Sequence, residues 1–245
     1  MEVLPNGNPV VTYKGKELHS NCAAVYSLDI GAHNLQQCAD SVIRVYSEYF
    51  WSQEEYDKIE FHLTNGELMR YTDWRDGDRL VAAGNFTTQL HLRGENDSYE
   101  CFRAYLECVM NYAGTKSLHE ESETIPLSEL KAGDLLLIPG APGHVILTVD
   151  MAENENGEKC YLFAQGFHIV KILHIRRIPG FMRLNLRKHS MSVHTALHRI
   201  ISADGRTDSD TYLSVSIFRK ITDRAFLIYD IEKMPLHLKW GGIFA

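Results

Sequence analysis

His144 is the residue of this chain best placed to do chemistry. It follows Gly143 at the head of an apolar run, HVILTV, and a second run, LLLI, precedes it across the turn from Pro139 to Gly143. Turn residues between two leucine-rich and β-branched segments predict a buried antiparallel hairpin with strands at 134–138 and 144–150. A histidine that opens such a strand sits at the sheet rim, its backbone fixed by the ladder and its ring able to face a cleft. That placement suits a general base. It suits equally a histidine that only hydrogen-bonds a loop. Five cysteines (Cys22, Cys38, Cys101, Cys108 and Cys160) form no CxxC pair and no metal-ligand spacing. There is no phosphate-loop or dinucleotide fingerprint either, so neither metal nor cofactor is expected.

The composition is that of an ordinary globular protein: 245 residues, 44% apolar and 23% charged. No apolar run approaches the roughly 20 residues that span a bilayer, and MEVLPNGNPV lacks the basic start and apolar core of a signal peptide. An odd number of cysteines with no paired spacing fits a reducing compartment. Charge is distributed unevenly. Residues 1–165 hold 12 Lys and Arg against 26 Asp and Glu, whereas residues 166–245 hold 13 against 6, with half of the histidines. This break predicts a boundary near Gly166, with an α+β domain over 1–167 and a divergent basic segment over 168–245. The basic segment lacks aromatic interleaving, so no nucleic-acid partner is expected. It is expected to make few contacts with the sheet.

Periodicity supplies the elements. Residues 23–30 alternate as a strand. From Asn34, Leu35, Cys38, Ala39, Val42, Val45, Tyr46 and Tyr49 recur at helical spacing, predicting a helix from Asn34 to about Phe50 with Cys38 on its apolar stripe. IEFHL over 59–63 reads as a short strand ahead of an Asn65-Gly66 hairpin turn. YTDWRDGDRL reads as loop, and 86–92 as strand. Asp97-Ser98 is expected to cap a second helix, Tyr99 to about Ala113, with Glu100 closing a capping box if Asp97 is the N-cap, and Gly114 ends it. Beyond the hairpin, a turn at Glu155–Gly157 leads into a strand over 160–165. Helices followed by an antiparallel sheet give α+β.

Several phrases together resemble one family: LQQCADSVIRVYSEYF, YDKIEFHLTNG, SYECFRAYLECVMNYAGTKSL, GDLLLIPGAPGHVILTVDMAEN and GEKCYLFAQGF. They are similar, in order and from about Leu4 to Phe167, to the domain-of-unknown-function 4846 family, found mainly in Bacteroidetes-type bacteria. That resemblance implies an exported, cell-envelope setting, although this chain shows no export signal. It carries no established activity.

The GD…PGHV segment also resembles the histidine segment of NlpC/P60-like cysteine hydrolases of the papain-like class. In those enzymes a cysteine opens a helix, a histidine opens a strand, and a polar residue on the next strand orients the histidine. The resemblance implies that Cys101, His144 and Gln165 fill those roles, because YECFRAYL resembles the helix opening of that class. A thiol in a first helical turn meets unpaired N–H groups and the positive end of the helix dipole. The amide would fix the imidazole tautomer. Trp74, Arg79 and Arg103 are the candidates to line a groove for a small peptide or glycan; Trp74 fits equally well as a plug at the core edge. The expected function is a cysteine-hydrolase-like protein of the cell envelope acting on a peptide or amide bond. The alternative is a non-catalytic protein that binds glycan or peptidoglycan fragments.

Overall fold

The computed structural model describes residues 2–5, 8–18, 24–84, 86–126, 129–141, 143–153, 159–166, 170–178, 181–183 and 216–220. The first part of the chain runs through β1 (Glu2–Pro5), β2 (Val10–Val11), β3 (Glu17–Leu18), β4 (Ala24–Ser27) and α1 (Cys38–Ser52). Next come β5 (Glu60–His62), β6 (Leu68–Arg70), α2 (Tyr71–Asp76), β7 (Asp78–Ala83), β8 (Phe86–His91), α3 (Tyr99–Tyr112) and α4 (Thr115–Glu120). The remainder is β9 (Ser122–Thr124), β10 (Leu135–Ile138), β11 (His144–Glu153), β12 (Lys159–Gly166), β13 (Val170–Ile178), β14 (Phe181–Arg183) and β15 (Ser216–Lys220). The turn at Glu155–Gly157, Pro142 and much of 168–245 lie outside the described residues.

An antiparallel seven-stranded sheet, ordered β14-β13-β12-β11-β10-β15-β9, is the frame. Among the described residues four two-stranded ribbons accompany it: β1-β4, β2-β3, β5-β6 and β7-β8. The α+β class expected from the sequence is therefore present, with α1 and α3 as its two long helices. The sheet does not stop at residue 167. Strand β13 pairs with β12 from Cys160↔Arg176 to Gly166↔Val170, and β15 lies between β10 and β9. The described residues of the tail thus pair into the sheet although a break in charge precedes them; the rest of 168–245 lies outside the described residues.

The core explains why both helices form. Val42, Ile43, Tyr46 and Phe50 of α1 meet Phe102, Tyr105, Leu106 and Val109 of α3, above Leu135, Leu137, Val145 and Leu147 of the sheet. The register pairs Leu135 with Leu147 and Leu137 with Val145, so these four side chains share one sheet face. Burial of each large aliphatic stabilises by about 1.5–3 kcal/mol. Within the core the Tyr105 hydroxyl reaches the carbonyls of Met69 at 2.9 Å and Ile59 at 3.3 Å, tying α3 to the β5-β6 ribbon. Tyr105→Phe should lower stability by about 1–2 kcal/mol, read as a lower midpoint in urea at unchanged slope. An unchanged midpoint would mean that the hydroxyl holds nothing.

Two boundaries differ from the sequence reading. Residues 71–76, expected as loop, form α2: six residues are too few to display a period, yet Tyr71 and Trp74 bury one face. Gly77 at φ 128° ends that helix, and a Cβ there would fall within 3.0 Å of the Arg93 carbonyl carbon. Of the expected cap pair Asp97-Ser98, Ser98 is the N-cap of α3, its hydroxyl accepting from the Cys101 N–H at 3.2 Å. Most important, α1 opens at Cys38 and not at Asn34. Gln36 takes a left-handed φ of 71° and Gln37 is extended, so neither can belong to the helix. Gln37 is the N-cap, and its N–H donates to the Asp40 carboxylate at 3.0 Å.

Candidate functional site

The delayed start of α1 makes Cys38 its first helical residue, where it still packs against the main core as its place on the apolar stripe implied. It opens against the sheet at a particular place. The β11–β12 ladder ends at Leu147↔Ala164, although β11 begins at His144 and β12 continues to Gly166. Beyond that last pair the two strand ends are not paired with each other. The first turn of α1 abuts this opening. A Cβ added to Gly166 would lie 2.6 Å from the Gln37 carbonyl oxygen and 2.7 Å from that of Gln36. On the other strand, the Val145 N–H is among the backbone donors that act on the Cys38 thiol. The thiol therefore neighbours the residue after His144, and its turn touches the residue after Gln165.

His144 and Gln165 meet directly, with ring Nε2 3.0 Å from Oε1. A β-bulge makes this possible. Outside the bulge Asp150 pairs with Leu162; inside it Leu147 pairs with Ala164, leaving Val149 as the extra residue. The outer register, continued inward, would set Gln165 opposite Leu147 and on the face away from His144. The inner register sets it opposite Ile146, two residues from His144 and on the same face. With a carbonyl oxygen as partner, Nε2 carries the proton and Nδ1 keeps the lone pair of a base.

The electrostatics favour an uncharged resting pair. Burial pushes the Cys38 thiol above its ordinary pKa; the N–H groups of Val145, Ala39 and Cys38 itself pull the other way, and Asp40 adds to the rise. Burial holds His144 below its ordinary value, with Gln165 opposing. Thiol and neutral imidazole are thus the forms present at neutral pH. For a base with a depressed pKa, the linked stability is fully present above 6.5 and is lost as pH falls through the folded value. Asp40 behaves in the opposite sense. Burial raises it from 3.8 to about 6, so its linked stability is present below 3.8 and is lost as pH rises through about 6.

The other residues singled out in the sequence lie elsewhere. Cys101 is buried in the first turn of α3, its sulfur 3.9 Å from Arg79 Nη2. Arg79 stacks 4.3 Å above the Trp74 ring and donates to the Trp74 and Asp78 carbonyls, each at 2.6 Å. Trp74 is buried in the main core cluster. Arg103 binds Asp29, reaching its carbonyl at 3.2 Å and its carboxylate at 3.4 Å. These contacts are internal to the α2–β7 corner and the loop before α1. Burial pushes the Cys108 thiol to about 11. Among the described residues no His, Cys, Asp and Glu cluster could hold a metal, and no helix is long and apolar enough to cross a membrane.

Sequence reasoning passed over Cys38 because the apolar period extends back to Leu35 and hides the cap. The signal that could have found it is the Gln37-x-x-Asp40 spacing, an acid three residues past an N-cap.

An imidazole and a carboxamide are joined at the end of an antiparallel sheet against which the first turn of α1 packs, in a protein of the α+β class. The chain belongs to the family described as Domain of unknown function (4846), whose model matches residues 1–185. No curated protein matches it, and no solved structure does.

Proposed function

We propose that this protein is a cell-envelope-type cysteine hydrolase that cuts a peptide or amide bond, with Cys38 as nucleophile, His144 as base and Gln165 as the residue orienting the imidazole. Cys38 here takes the role first assigned to Cys101. The observation that carries the reading is the His144–Gln165 hydrogen bond bridging the strand ends at which the Cys38 turn docks. The order of a helix-opening cysteine, a strand-opening histidine and an amide on the next strand supports a papain-like, NlpC/P60-like arrangement.

In this mechanism His144 Nδ1 takes the thiol proton as the sulfur attacks the substrate carbonyl carbon. The C–N bond then breaks, the imidazolium returns its proton to the leaving amine, and a thioester remains on Cys38. Water, deprotonated by the same nitrogen, releases the acid and restores the thiol. Because the resting pair is uncharged, proton transfer accompanies attack rather than preceding it. Gln165 keeps Nε2 protonated through both steps.

Release of new amino groups from peptides and from peptidoglycan-derived fragments tests this. Cys38→Ser should abolish turnover, and His144→Ala should lower kcat/KM by about 10²–10⁴-fold. Gln165→Ala should cost about tenfold, mainly in kcat. Turnover that survives Cys38→Ser, or that depends on Cys101, would overturn the assignment. Binding of the fragments without turnover would favour the non-catalytic alternative.

A further inference from the structure

Gln36 poses a physical problem. A non-glycine residue at φ 71° is held in a sparsely populated conformation, costing on the order of 1–3 kcal/mol, and persists only where its surroundings impose it. Gln36 is also 3% exposed, so solvent does not hold it. Two side chains from the first turn of α1 do. The Asp40 carboxylate accepts from the Gln37 N–H at 3.0 Å and also from the Gln36 N–H. The Ser41 hydroxyl donates to the Gln36 carbonyl at 3.0 Å, while the Ser41 N–H donates to the Gln37 carbonyl at 2.9 Å. Gly166, with no side chain to intrude, closes the other side of the same turn.

We propose that Asp40 and Ser41 are positioning residues that hold the Gln36–Cys38 turn in its left-handed shape and so fix the Cys38 sulfur at the Val145 end of β11. The inference rests on the assignment of Cys38 as nucleophile, but it concerns the turn and not the hydrolysis. Without the carboxylate, two adjacent N–H groups lose their acceptor and Gln36 returns to an extended or helical conformation. The half-buried thiol then leaves its place against the core. Without the hydroxyl, one of the bonds that shape the turn is lost and the charge is untouched.

Iodoacetamide labelling of Cys38 across pH 6–10, followed by peptide mass spectrometry, tests this with Cys101 and Cys108 as internal references. In Asp40→Ala the turn loses its acceptor and the half-buried thiol loses a neighbouring negative charge; burial and that charge both raise its pKa. Its labelling at pH 7.5 should rise about tenfold, the equivalent of one pKa unit. In Ser41→Ala, which changes no charge, the rise should be about threefold. The two reference thiols should keep their rates, which a general loosening of the fold would not allow.

Folded variants whose Cys38 rate and pH profile both match the parent protein would overturn the proposal, as would equal acceleration at all three cysteines. If Asp40→Ala does not fold, Ser41→Ala decides the matter alone. The reagent needs neither His144 nor a substrate. A negative result here leaves the hydrolase reading standing, and absence of turnover leaves this inference standing.

Discussion

Val42→Asp is expected to leave no folded protein at neutral pH. Val42 is 2% exposed, on the face of α1 that meets α3 and the sheet. The substitution forfeits about 1.5–3 kcal/mol of apolar burial. It also places in the core a carboxylate with no cation opposite, at a cost of several kcal/mol more unless the group stays protonated. Domains of this size are stable by about 5–15 kcal/mol, so the two losses consume much or all of that. Circular dichroism and thermal melting read the outcome. A cooperative transition at the parental temperature would show that α1 does not pack as described.

Gly166→Val is expected to damage the site more than the fold. The position lacks a positive φ, so the obstacle is space alone: the Gln36 and Gln37 carbonyls and Ser41 stand where a side chain would go. Backbone oxygens cannot swing aside as a lysine tip can, so the α1 turn must move off β12. Overpacking of this kind costs about 1–3 kcal/mol. Most of that should fall on the Cys38 turn, accelerating Cys38 alkylation and eliminating turnover while the melting point drops by several degrees. Gly94→Ala, where nothing lies within 4 Å of an added Cβ, is the control and should be silent. Parental Cys38 reactivity in a folded Gly166→Val protein would separate the helix turn from the strand and remove the basis of the site.

What could be read from the sequence follows physical scale. Elements long enough to show a period were visible: both helices, the 134–150 hairpin and the strand leading to Gln165. The Asn65-Gly66 turn was visible because glycine is the residue that tolerates φ 90° there. The short α2 helix was not, since six residues carry less than two turns of pattern. The start of α1 was misplaced because Leu35 continues the apolar stripe, while the backbone departs from the helix at Gln36 for reasons set by Asp40 and Ser41. That single boundary decided which cysteine faced the sheet. His144 and Gln165 were legible as a pair, but the face they share depends on a bulge at Val149, whose position no residue type announces. The pairing of β13 and β15 into the sheet was hidden by the change in charge near Gly166.

The most direct measurement is labelling with an epoxide electrophile whose ring opening needs a proton donor beside the attacking sulfur, followed by identification of the modified cysteine. Adduct should form at Cys38 alone, slowed about 10²-fold or more in His144→Ala and less in Gln165→Ala, while iodoacetamide still labels Cys38 in both variants. Adduct formation at Cys101, or labelling of Cys38 at the same rate with and without His144, would contradict it.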